Sequence, residues 1–178
     1  MAVLKSIIIA FVTLVAYSSL VSADATPKGT KNDTQSAVAT FTQGVTGIIT
    51  FQGYYDNTTK KTSTVIKVDI HSGLNNHTGV YPYHIHVNPI TNGNCTTAGG
   101  HLDPKNVTDA YTCAPPNLVA CQLGDLSGKY GKLIPDSEGK NKTSEVDEFL
   151  SWTDEAYSML GRSVVIHFPN GKLFLLYR

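Results

Sequence analysis

The sequence predicts an all-β domain, a sandwich or a Greek-key barrel. From Ala37 onward the chain runs in short segments rich in Val, Ile, Thr, Phe and Tyr, each broken off by Gly, Asn or Pro. The one stretch with helical spacing, residues 145–160, is incomplete. Its Val146, Phe149, Leu150 and Met159 suit a strand followed by a turn equally well. No internal repeat or composition break divides residues 37–178, which are expected to form a single domain.

The elements follow in order. Met1 to Lys5 carries one positive charge, residues 6–16 are apolar, and Val21-Ser22-Ala23 offers small residues for cleavage. The apolar run falls short of the ~20 residues a bilayer needs, so residues 1–23 are expected to be a signal peptide and no transmembrane segment is expected. Residues 24–36 are small and polar, a flexible entry segment. Residues 45–52 and 62–70 are strands joined by a turn-rich segment, residues 81–87 are a third, and 161–167 a later one. Pro169-Asn170-Gly171 signals a tight turn before a short final strand over residues 172–177.

Charge and composition narrow the function classes. Without Lys5 the chain has 13 basic against 14 acidic residues, which excludes a nucleic-acid surface or a polybasic membrane patch. Asn-x-Ser/Thr triplets occur six times, at Asn32, Asn57, Asn76, Asn94, Asn106 and Asn141. Behind a signal peptide they indicate an extracellular glycoprotein, with Asn32, Asn57, Asn76, Asn106 and Asn141 as glycosylation candidates. Of the three cysteines, Cys113 and Cys121 lie eight apart across a Pro-Pro loop and are the expected disulfide pair, which leaves Cys95 over.

Three of the six histidines fall within residues 84–101. His84 and His86 are two apart on a strand, so both project from one face, separated by about two rises of ~3.3 Å. An isolated His-x-His can equally be two polar residues shown to solvent. His101 after a Gly-rich turn and His167 ending an apolar strand favour a metal site instead. His71 and His77 sit in polar turns and are expected at the surface. Four imidazoles without a thiolate suit zinc or copper; zinc has no redox chemistry, whereas copper cycles between two oxidation states.

Four stretches together resemble a known family. Residues 45–51, the His84-Ile85-His86 strand with residues 92–104, Leu123-Gly124-Asp125-Leu126, and residues 161–167 resemble, in order, Cu/Zn superoxide dismutases. The likeness is nearer to their extracellular, copper-only fungal branch. It implies an eight-stranded Greek-key β-barrel, one copper ion held by His84, His86, His101 and His167, and superoxide as substrate. It also places Asp125 on the family's zinc aspartate and Cys95 on the cysteine that tethers the metal loop. Arg162 falls on a structural arginine, and Leu74 on a barrel-end leucine.

The departures from that pattern matter as much. No histidine lies between His101 and Asp125, and Gln122 stands where the last zinc histidine belongs, so no zinc is expected. The copper-only branch usually places a glutamate there; Gln122 can hydrogen-bond but carries no charge. After His167 no cysteine follows, and Lys172 is the candidate for the family's guiding arginine, as a flexible point charge. The resemblance implies that His101 detaches from copper and carries a proton during the cycle. Asp125 is the first candidate to hold it and Gln122 the second.

These readings add up to a secreted copper superoxide dismutase, monomeric and compatible with cell-wall association. A catalytically weak copper-binding protein of the cell surface shares every ligand and is the alternative. An adhesion or wall-structural sandwich and a hydrolytic zinc enzyme rank below both, the latter for want of a general base beside the histidines.

Overall fold

The computed structural model describes residues 15–16, 35–56, 60–75 and 79–170. Among them seven strands form two sheets: a five-stranded one in the order β1-β2-β3-β4-β6 and a two-stranded one, β5-β7. They are β1 (Val15–Ala16), β2 (Ser36–Gln43), β3 (Val45–Asp56), β4 (Lys61–Ser72), β5 (Tyr83–His86), β6 (Asn141–Asp147) and β7 (Ser163–Ile166). Each pairs antiparallel with its neighbours. The all-β class is as the sequence predicts, but the described strands leave both sheets open and number one fewer than a closed eight-stranded barrel.

Alternation builds the core. Along β3, Val45, Ile49 and Phe51 are buried while Thr46, Ile48 and Thr50 between them are only half-buried. On β4, Ile66, Val68 and Ile70 face the same layer. They meet Tyr83 and Ile85 from β5 and Val164 and Ile166 from β7, so the main core lies between the two sheets. All four residues of β7 are buried because its other face is covered too: Val165 packs on Ile90 and Ala98. That double burial explains the unbroken apolar run.

Residues 145–160 resolve as the strand alternative. β6 ends at Asp147, and turns follow, with one isolated bridge between Ser151 and Ser158. The α-helix α1 (Leu126–Tyr130) was not foreseen; five residues are too few to show a period. Leu74 is buried in the main core, as the resemblance implies. Arg162 donates from Nη1 to the Val87 carbonyl at 2.9 Å and from Nη2 to that of Glu155 at 2.9 Å, which ties the entry to β7 onto the end of β5. The predicted signal peptide outside Val15–Ala16, the predicted strand at 172–177, and Asn32, Asn57, Asn76, His77 and Lys172 lie outside the described residues.

Candidate metal centre

Three backbone hydrogen bonds set the frame of the site. Ile85 N–H donates to Gly124 O (2.9 Å), Gly124 N–H to Leu102 O (2.8 Å), and Leu102 N–H to Ile85 O (2.8 Å). The residues on either side of this ring are His84 and His86, His101, and Leu123 and Asp125. Gly124 has to be glycine here, because a Cβ would lie 2.3 Å from the Ile85 oxygen. His167 joins through its own backbone, donating to Pro82 O at 2.7 Å.

His84, His86, His101 and His167 converge, each offering one ring nitrogen within 4.8 Å of the others. All four histidines singled out from the sequence are thus brought together. His71 is exposed, its side chain 61% accessible, as expected of a surface residue.

The second nitrogens decide what the first ones can do. His86 Nδ1 lies 2.8 Å from Gly99 O, and a carbonyl only accepts, so Nδ1 carries the hydrogen and Nε2 keeps its lone pair. Gly99 delivers that carbonyl from a left-handed conformation (φ 73°), and a Cβ there would meet Val87 Cγ2 at 2.8 Å. His101 Nδ1 lies 2.6 Å from Gln122 Oε1, which leaves its Nε2 available in the same way. His86 Nε2 and His167 Nε2 face each other at 3.3 Å, a distance at which only one can carry a hydrogen. His84 Nε2 lies 3.5 Å from Asp125 Oδ1, and its Nδ1 is buried with no hydrogen-bond partner.

A buried ring nitrogen without a partner is costly unless something binds it. Burial, reinforced by the neighbouring imidazoles, lowers the His84 pKa to about 2. Burial likewise lowers that of His86 to about 4, against the opposing pull of the Gly99 carbonyl. Both rings are therefore neutral at physiological pH and offer lone pairs. Four convergent imidazoles, with the second nitrogens of His84, His86 and His101 directed at oxygen, fit a copper ion.

Residues 45–173 match the sequence profile of copper/zinc superoxide dismutase (SODC). The chain belongs to the copper/zinc superoxide dismutase family. The cell surface Cu-only superoxide dismutase 5 of Candida albicans is 35% identical over 108 residues, covering 60% of this chain and 44% of that protein. Cell surface superoxide dismutase [Cu-Zn] 6 of the same organism is 34% identical over 174 residues, covering 92% of this chain and 51% of the relative. The chain thus spans about half the length of these two relatives. Among solved structures, superoxide dismutase 5 of Candida albicans in its Cu(II) form aligns with a TM-score of 0.59 at 26% identity, covering 92% of this chain and 88% of that one. A mutant of that protein aligns over 78% of this chain and 85% of its own with a TM-score of 0.62 at 29% identity.

Within this superoxide dismutase fold, one expectation is corrected. Asp125, placed first to hold His101, instead caps α1 through Gly128 N–H (2.7 Å) and faces His84. Gln122 is the residue that meets His101, because the turn from Gln122 to Asp125 aims the two side chains at different histidines. Asn141 is buried, and its Nδ2 donates to Ile134 O at 2.9 Å. Asn106 is exposed and retains its candidacy.

The disulfide joins Cys113 to Cys121 as predicted. Cys95 is half-buried against Ile90, Ala98 and Val165, and burial raises its thiol pKa. Sequence reading missed the Gly99 carbonyl, for which the Gly-Gly pair was the available signal. It also missed Asp109, which receives a hydrogen bond from Gln122 and carried no signal at all.

Proposed function

We propose that this chain is a secreted, copper-only superoxide dismutase that converts superoxide to oxygen and hydrogen peroxide. The carrying observation is the set of four convergent imidazoles, among them a buried His84 Nδ1 with no hydrogen-bond partner. Copper bound there would supply one-electron exchange between its cupric and cuprous states. The Cu-only relative supports copper without zinc, and both cell-surface relatives support an extracellular, wall-associated location. The antiparallel sheets and the fold likeness support closure as an eight-stranded Greek-key barrel.

The chain's own residues divide the work. His84 and His86 on β5, and His167 just beyond β7, sit on stiff elements and hold position. His101 is on a loop with 22% of its side chain accessible, so it is the member able to exchange protons with solvent. Its Nδ1–H, held by Gln122, keeps the ring in place, and Nε2 can take a proton and pass it to the reduced substrate. Asp125 orients His84 from the opposite side. Lys172 would supply positive charge for the approaching anion, and the chain would act as a monomer.

The test is superoxide consumption by the purified, copper-loaded chain. Many turnovers per copper are expected, with no gain on adding zinc. Consumption that stops at one equivalent would favour the copper-binding alternative.

A further inference from the structure

We infer that Asp109 is a positioning residue that fixes the Gln122 amide and, through it, the tautomer of His101. The inference rests on the copper reading above for its function, though not for its geometry. Gln122 is 8% exposed and makes two hydrogen bonds of opposite sense. Its Oε1 accepts from His101 Nδ1–H at 2.6 Å, and its Nε2 donates to Asp109 Oδ1 at 3.1 Å.

An amide can turn end for end, and the two ends behave oppositely. Turned over, Gln122 would set its oxygen against the Asp109 carboxylate, acceptor against acceptor, and present an N–H to His101 Nδ1. His101 would then have to accept at Nδ1 and carry its hydrogen on Nε2, the nitrogen a metal needs. The carboxylate, 90% accessible to solvent, disfavours this arrangement because it can only accept. A glutamate at position 122 would need no such help, since both of its ends are oxygens. Glutamine at this position creates the need that Asp109 meets.

The loop is built to return Asp109 to this place. Asp103 accepts from Val107 N–H (3.0 Å) and Thr108 N–H (2.8 Å), closing a turn just before Asp109. Four residues after Asp109, Cys113 is bonded to Cys121, the neighbour of Gln122. Asp109 Oδ1 also lies 3.7 Å from His101 Nδ1, so the three side chains form one cluster.

The experiment uses the full chain with nitrogen-15 histidine. Long-range proton–nitrogen correlation on the metal-free protein reads the tautomer, and copper(II) titration reads affinity. In the unaltered chain His101 is expected with its hydrogen on Nδ1. Asp109→Ala should move part of that population to Nε2 and weaken copper(II) binding by about tenfold, the lower end for partners of metal ligands. Asp109→Glu, which keeps a carboxylate that can only accept, should restore both. In a Gln122→Glu background, Asp109→Ala should change neither. An unchanged tautomer in Asp109→Ala, or an equal loss of affinity in the Gln122→Glu background, would overturn the inference. Should the unaltered chain take up no copper, the proposed function fails, while the metal-free tautomer still decides for or against Asp109.

Discussion

Asp147→Asn is expected to destabilise the fold by about 3–5 kcal/mol, the range for breaking a buried ion pair by removing one partner. Lys129 and Asp147 are side chains 1% and 0% accessible, joined by a salt bridge inside the protein. Asp147 Oδ2 also accepts from the Tyr130 hydroxyl at 2.8 Å, and its Oδ1 from the backbones of Phe149 and Leu150 at 2.7 and 2.8 Å. Burial already lowers the Lys129 pKa, opposed by Asp147, so the asparagine variant leaves an ammonium with no counter-charge. Adding Lys129→Met should recover part of the loss, because it removes the buried charge left without a partner. Urea unfolding of the single and double variants checks this. A cost below about 1 kcal/mol for Asp147→Asn would remove the pair as a determinant of the fold. The pair also reaches the site: Lys129 Nζ donates to Leu123 O at 2.9 Å, one residue from Gln122.

Gly124→Val should disable the site and the fold together. The ideal Cβ position is 2.3 Å from Ile85 O and 3.0 Å from both Leu102 N and Leu102 Cβ. Backbone obstructs it on two sides, and neither segment can yield without breaking the ring of hydrogen bonds that sets the histidines' spacing. Overpacking of this kind costs about 1–3 kcal/mol. Unfolding midpoint and copper(II) affinity should fall together. Gly131→Ala provides the contrast: no atom lies within 4 Å of its added Cβ, so only backbone strain at φ 93° is felt and copper affinity should be kept. Native affinity in Gly124→Val would show that the ring does not set the histidine spacing.

Much of the site could be read from the chain because strand periodicity is simple. His84 and His86 share a face by alternation, and the Val-Val-Ile run before His167 marked a strand. The disulfide followed from eight-residue spacing across a Pro-Pro loop. What could not be read depended on loops. Whether Gln122 or Asp125 meets His101 turns on one tight bend, and no period governs a bend. Asp109 is distant in sequence from both residues it serves. The buried Lys129–Asp147 pair has no mark in the sequence, since charged residues seldom go inside unless paired, and the pairing is tertiary.

Electron paramagnetic resonance on the secreted chain loaded with copper(II), with metal content measured alongside, goes to the heart of the matter. One copper per chain is predicted, with hyperfine coupling to histidine nitrogens and loss of the signal's native form in His86→Ala. Copper that binds without nitrogen coupling, or a spectrum and content unmoved by His86→Ala, would contradict a metal held by these four imidazoles.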